Sequence, residues 1–341
     1  MTDPTLADLG WSQHFADQTD PRDTHPARIA EIRRDRVYLL APDGPLTLTT
    51  ANETGAYAVG DWILHDGTRV TRRLTPLTEL ARRAAGPGAE AQLIAANVDT
   101  LGIVSSCNAD FNLARIERYL VLASNAGCLP LVILTKADMC DDPQEYVDRA
   151  RRLSPLITAL ALNAKDPDDV ARLAPWCGPA RTLALVGSSG VGKTTLNNRL
   201  TARDDATRGI REDDARGRHT TTSRHLHRSV HGGWLIDTPG MRELQLTDVA
   251  AGIEAVFDDI ETLAGTCKFR DCAHETEPGC AVRAALDAGD LDPARLQRWR
   301  KLSREDRQNS ESLAQTRNRQ KSLARHIDAA QSQRGKPGRS R

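Results

Sequence analysis

The stretch Gly187-Ser188-Ser189-Gly190-Val191-Gly192-Lys193-Thr194 decides how the rest of the chain is read. Thr182-Leu183-Ala184-Leu185-Val186 precedes it and Thr195-Leu196-Asn197-Asn198-Arg199-Leu200 follows, the order of a strand, a glycine-rich loop and a helix. Gly187 and Gly192 permit the backbone conformations that turn successive N–H groups inward around an anion, and the helix adds the positive end of its dipole. Ser188, Ser189, Gly190, Val191 and Thr195 complete this cradle. Lys193 is expected to reach the β- and γ-phosphates of a nucleotide, and the Thr194 hydroxyl to ligate a magnesium ion bridging them.

The 341 residues exceed what one core usually organises, so two or three domains of about 100–150 residues are expected. With 39% hydrophobic and 27% charged residues, the composition is that of a soluble globular chain. No apolar stretch approaches the roughly 18 residues of a membrane span, so no membrane partner is expected. Met1-Thr2-Asp3-Pro4 lacks the basic start and apolar core of a secretion signal, and a cytoplasmic location is expected. Of the seven cysteines, Cys107, Cys128, Cys140 and Cys177 are scattered, whereas Cys267, Cys272 and Cys280 cluster. Clustered thiols in a reducing compartment suggest metal rather than disulfides. The net charge of zero conceals an asymmetry, because Arg295 to Arg341 holds fourteen Lys and Arg against four Asp and Glu. A basic arm on an acidic body points to a polyanionic partner.

Outward from the loop, the chain divides into segments. Residues 1–26 are polar and read as a flexible leader. Residues 27–83 contain the alternating runs Arg28–Ile32, Arg36–Leu40, Leu46–Thr49, Asp61–Leu64 and Arg69–Thr71, with turns at Asp43-Gly44 and Asp66-Gly67. Five short strands suggest a small oligonucleotide-binding (OB-like) barrel, for nucleic-acid contact or as a dimerisation module. Ala84–Ala89 reads as a linker. Residues 90–250 alternate strand and helix patterns, the mark of a mostly parallel sheet covered by helices. Residues 251–305 are helical around the cysteine cluster, and 306–341 read as a basic, disordered tail.

A phosphate loop does not choose the base. Thr135-Lys136-Ala137-Asp138 ends the apolar run Leu129–Leu134, and the Asp138 carboxylate can accept from both N1–H and the exocyclic amine of guanine, a match adenine lacks. The Lys136 stem would cover the base plane, and Asn163-Ala164 would offer a backbone N–H to guanine O6. In Asp237-Thr238-Pro239-Gly240, Asp237 would hold magnesium through water and the Gly240 N–H would sense the γ-phosphate. One threonine of Thr220–Thr222, with Thr221 at the centre, would close over the same metal. Thr135–Asp138 precedes the phosphate loop and Asp237 follows it, the reverse of the ordinary order in small GTPases. A circular permutation explains this and is tolerable where chain ends lie close together at the surface.

Cys267-x4-Cys272-x-His274-x5-Cys280 gives three thiolates and one imidazole, a closed tetrahedral set suited to one structural zinc ion. Lys268-Phe269-Arg270 lies inside the first gap, where it is either a solvated loop or a phosphate-contacting, base-stacking triplet.

The order of motifs, the barrel before them and the Cys/His cluster after them resemble the circularly permuted ribosome small subunit-dependent GTPase A family, over about Leu9 to Trp299. The resemblance implies a three-part architecture of OB-like barrel, permuted α/β P-loop GTPase and α-helical zinc module. It also implies GTP hydrolysis stimulated by the small (30S) ribosomal subunit, contacts with 16S rRNA and a late step in subunit maturation, carried out by a monomer. Thr135 stands where the family's guanine motif more usually has Asn, a longer bridge between base and phosphate loop, so weaker guanine affinity with retained selectivity is expected. Many GTPases orient water with a Gln directly after Asp-x-x-Gly; here Met241 cannot, and slow intrinsic turnover follows. The family is thought to use a switch-loop histidine instead, which falls on His219; a histidine in a basic loop also suits RNA contact. The competing reading is an RNA-binding assembly or anti-association protein that uses GTP as a ligand with incidental hydrolysis.

Overall fold

The computed structural model describes residues 4–20, 25–50, 54–83, 91–155, 157–203, 224–238, 246 and 248–311. After a one-turn helix α1 (Gln13–Ala16) come the barrel strands β1 (Pro26–Ile32), β2 (Arg36–Ala41), β3 (Gly44–Thr50), β4 (Trp62–His65) and β5 (Arg69–Arg73). β1 pairs antiparallel with β2 and β4, β2 with β3, and β4 with β5, while β3 runs parallel to β5. The pairings form the ring 1-2-3-5-4, which closes on itself and leaves no free edge. Ile29, Val37, Leu39, Leu48, Ile63 and Val70 fill it, as the period of two in each run requires.

The leader is not free. Leu9 and Phe15 are buried, and Trp11 and Phe15 pack on Trp62 with ring centroids 4.8 and 5.8 Å away. Burying side chains of this size stabilises by roughly 1.5–3 kcal/mol each, enough to hold a short polar stretch that carries three of them. The expected linker, Ala84–Ala89, lies outside the described residues. Strands β6 (Glu79–Arg83) and β7 (Ala91–Ala96) on either side of it pair antiparallel as the two arms of a hairpin, so they do not belong to separate domains. The Ala96 N–H donates to the Val59 carbonyl at 2.9 Å and fixes the hairpin to the barrel.

The central domain alternates β8 (Thr100–Ser106), α2 (Leu113–Asn125), β9 (Leu129–Thr135), α3 (Pro143–Arg151), β10 (Thr158–Ala161), α4 (Pro167–Ala171), α5 (Ala174–Cys177), β11 (Thr182–Gly187), α6 (Lys193–Thr201), β12 (His225–Arg228) and β13 (Trp234–Asp237). The strand order is β10-β9-β8-β11-β13-β12, parallel except for β12. Successive residues of β9 and β11 face opposite cores: Val132, Leu134, Ala184 and Val186 meet the α2 and α3 side, while Leu131, Ile133, Leu183 and Leu185 meet α4–α6. A parallel sheet buried on both faces reads as continuous apolar runs for this reason. β12 then pairs with β1, Glu31 opposite His225, joining sheet and barrel.

Helices α7 (Ala250–Val256), α8 (Asp258–Gly265) and α9 (Ala281–Ala288) follow, and a last helix, α10, spans residues 293–311. α10 is clamped to α2: buried Glu117 accepts from Arg295 (3.2 Å) and Arg298 (2.6 Å), and Arg118 pairs with Glu305 through both nitrogens. Asp306 accepts from the Val249 N–H, and Asn309 donates to the Leu246 carbonyl. The tail expected from residue 306 therefore begins no earlier than 312, because residues 306–311 continue a packed helix. No helix among the described residues is long and apolar enough to cross a membrane.

Candidate functional site

Thr135 ends β9, Gly187 ends β11, Asp237 ends β13, and Asn163 lies two residues beyond β10. All four strands are parallel, so these residues share the carboxyl edge of one sheet, where open α/β sheets bind their ligands.

At the phosphate loop, Gly187 has φ +143°, and a Cβ there would stand 2.2 Å from the Val104 carbonyl oxygen of β8. Only glycine fits. Gly192 caps α6 in the left-handed region. Ser189 and Gly190 are exposed, Ser188 and Thr195 half-buried, and Val191 is buried against the core below. Thr194 is exposed in the first turn of α6, open to a metal ion. The Lys193 ammonium donates to the Gly187 carbonyl at 2.8 Å and to that of Ser188. It thus folds over the loop that would cradle a phosphate.

The guanine motif is tied to this loop through Thr135. Its buried hydroxyl lies 2.5 Å from the Val191 carbonyl and 3.0 Å from that of Ser105, two acceptors sharing one proton. Lys136 takes a left-handed conformation (φ 58°, ψ 32°), and Ala137–Met139 form a single tight turn that leaves the Asp138 carboxylate exposed. The Ala137 N–H donates to the Leu162 carbonyl at 3.3 Å, bringing the loop after β10 alongside. In that loop the Asn163 N–H donates to Asp169 (2.8 Å) and the Asn163 side chain accepts from the Lys165 N–H (2.9 Å). This leaves the N–H of Ala164 as the donor of the pair that makes no bond among the described residues.

Asp237 pairs in register with Leu185 of β11, and the buried Thr238 hydroxyl donates to the Leu185 carbonyl at 2.6 Å. That bond anchors the start of Asp-x-x-Gly beside the phosphate loop. His219, Thr221, Gly240 and Met241 lie outside the described residues. Sequence reasoning missed Thr238 and Asp169 as positioning residues. The signal for Asp169 was the Asp166-Pro167-Asp168-Asp169 run, a helix start whose side chains were free to serve the preceding loop.

Cys267, Cys272, His274 and Cys280 bring all four ligand atoms within 4.8 Å of one another. The Cys267 and Cys280 sulfurs are 3.9 Å apart, and His274 Nδ1 is 3.6 and 3.5 Å from them. A tetrahedron with 2.3 Å metal–sulfur arms has edges of about 3.8 Å, so the donor set fits zinc. Burial opposes ionisation of Cys267, but N–H bonds from Ala281 and Val282 at the start of α9 outweigh it and bring the thiol below its ordinary value. Burial, with Arg300 close by, lowers the His274 pKa and favours the neutral ring that ligates.

A family model described as RsgA GTPase matches residues 75–247. A small ribosomal subunit biogenesis GTPase RsgA of Mesorhizobium japonicum is 53% identical over 90% of this chain and 91% of its own length. RsgA 2 of Vibrio vulnificus, with the same description, is 46% identical over 95% of each chain. In fold, the chain is similar to the crystal structure of YjeQ from Thermotoga maritima (TM-score 0.59, 21% identity, 82% of this chain and 96% of that one). It is similar also to YloQ, a circularly permuted GTPase (TM-score 0.58, 23% identity, 85% and 98%).

Proposed function

The chain belongs to the RsgA GTPase family, and from that premise we propose that it binds GTP at the carboxyl edge of its permuted sheet and hydrolyses it on the small ribosomal subunit. It is a GTPase of small ribosomal subunit biogenesis; stimulation by the 30S particle, contact with 16S rRNA, action late in maturation, a monomeric state and a cytoplasmic location are our reading. One observation carries the nucleotide site: the Thr135 hydroxyl bonds to the Val191 carbonyl, so the guanine motif and the phosphate loop, far apart and reversed in sequence, meet at one point.

In this reading the backbone of Ser188–Lys193 and the amino end of α6 receive the phosphates. Lys193 exchanges its bonds to Gly187 and Ser188 for the β- and γ-phosphate oxygens. Asp138 accepts from guanine N1–H and the 2-amine, Lys136 covers the ring, and the Ala164 N–H meets O6 beside Asn163. Thr194 and Asp237 would hold magnesium, with Thr221 closing over it in the triphosphate state. When bound, the ion would supply neutralisation of the charge that develops on the phosphates. The Gly240 N–H reports the γ-phosphate. Met241 has no group to orient water, and His219 takes that role. The Cys3His set holds one structural zinc ion, since four protein ligands leave no open position.

Met241 also favours a second reading, in which GTP is only a ligand for an assembly protein. Turnover measured alone, with 30S, with 50S and with free rRNA separates the two. The expected result is acceleration by 30S alone, lost in His219→Ala with GTP affinity unchanged. Equal turnover in all four conditions would leave the second reading.

A further inference from the structure

We propose that Phe269 is a stacking platform for one unpaired RNA base, flanked by Lys268 and Arg270 as phosphate contacts. This rests on the ribosomal reading above and names the surface that would serve it. The inference starts from burial. Phe269 is 42% exposed, the one aromatic side chain among the exposed large hydrophobics of the described residues, and it joins none of the hydrophobic clusters. Phe15 and Phe257 are buried and half-buried Phe111 packs against the core, so Phe269 is the phenylalanine of this chain that no core holds. A solvated loop has no need of it.

The backbone that carries the ring is also held. It lies between the candidate metal ligands Cys267 and Cys272, the Lys268 N–H donates to the Gly279 carbonyl at 3.1 Å, and the Cys272 N–H to the Phe269 carbonyl at 3.3 Å. The Lys268 stem lies so close to Gly279 that a Cβ there would stand 3.1 Å from Lys268 Cβ. The Lys268 ammonium lies 5.5 Å from the Phe269 centroid. It lies over the ring, and the Phe269 side chain remains 42% exposed. An exposed Arg270 follows, then an exposed Asp271. An exposed π surface beside a cation is the arrangement that accepts a nucleobase while the charge meets the adjoining phosphate. A protein partner would seek a wider apolar patch, and among the exposed large hydrophobics Phe269 is the one in the Cys/His knuckle.

The test uses the full-length zinc-loaded protein with three probes: a 12-nucleotide unpaired RNA of mixed sequence, a duplex containing that strand, and purified 30S subunits. Phe269→Ala should bind the unpaired RNA and 30S between about 5- and 150-fold more weakly, the range spanned by one base–aromatic stack. Phe269→Tyr and Phe269→Trp should bind as the parent does. The fluorescence difference between Phe269→Trp and the parent should be quenched by the unpaired RNA and not by the duplex. Zinc content and thermal midpoint report that each variant is folded. Unchanged binding by a folded Phe269→Ala would overturn the proposal. Weakened 30S binding without quenching by RNA would overturn it in favour of a protein contact. Failure of the parent to bind 30S would sink the ribosomal reading itself, and with it this one.

Discussion

Thr135 shows what a single hydroxyl can decide. The shorter side chain was expected to weaken the bridge between base and phosphate loop, yet its oxygen reaches the Val191 carbonyl at 2.5 Å. The bridge to the loop is present with threonine, made by the side-chain hydroxyl to the loop backbone. Thr135→Val keeps the shape and removes the proton donor, leaving a buried carbonyl with one partner fewer at a cost of about 1–3 kcal/mol. Fluorescent GDP should then bind about tenfold more weakly, and Thr135→Asn should bind at least as well as the parent. Equal affinities for parent and Thr135→Val would remove the bond from the account. Nothing in the sequence could reveal this contact, since its partners are 56 positions apart and meet only when the sheet forms. Gly187, by contrast, was legible, because a phosphate loop requires glycine there on backbone grounds alone.

At the scale of elements, periodicity served best where one face or both faces were buried in a regular way. The five barrel runs were readable to within two or three residues, and the strand–helix alternation after residue 90 was readable as a parallel sheet. Reading failed where a few apolar residues in a polar stretch found a distant surface: Leu9, Trp11 and Phe15 look like a leader until Trp62 is beside them. It failed again at β6 and β7, which pair with each other although the sequence between them reads as a linker between domains. The Cys/His knuckle was legible from spacing, and its packing sets a further expectation. Its ligands lie on the turn before α9 and behind Arg300, whose guanidinium donates to the His274 carbonyl at 2.6 Å. Removing the bound metal with a chelator should loosen residues 267–280, seen as new protease cleavage there, while GDP affinity changes by less than about twofold because none of the four ligand residues touches the sheet edge among the described residues. Loss of GDP binding on chelation would show that knuckle and nucleotide site are one unit.

Across the whole molecule, one buried cation sits where the parts converge. Arg28 of β1 donates to the Leu9, Gly60 and Asn97 carbonyls and to the Thr182 hydroxyl, linking leader, barrel, hairpin and β11. Burial lowers its pKa to about 10 even with Asp99 and Asp61 opposing the shift, so an interior charge is held by neutral oxygens rather than by a carboxylate. The pairing of β12 with β1 and the clamp of α10 on α2 complete the union of barrel, sheet and C-terminal helices. None of these joints follows from local pattern, since each depends on which surfaces the fold brings together. The same union carries the reversed motif order, in which β9 and β11 are reached in the opposite sequence to an ordinary GTPase yet end side by side across β8.

That two motifs in reversed order form one guanine site is tested most directly by displacing fluorescent GDP with GTP, ATP and XTP, on the parent and on Asp138→Asn. The parent should prefer GTP to ATP by about 100-fold or more, the worth of two hydrogen bonds to a charged acceptor. Asp138→Asn should lose affinity for GTP and gain it for XTP, whose 2-carbonyl the new amide can meet as a donor. If ATP displaced GDP as readily as GTP did, or if Asp138→Asn left the order of nucleotides unchanged, the site would not be the one described.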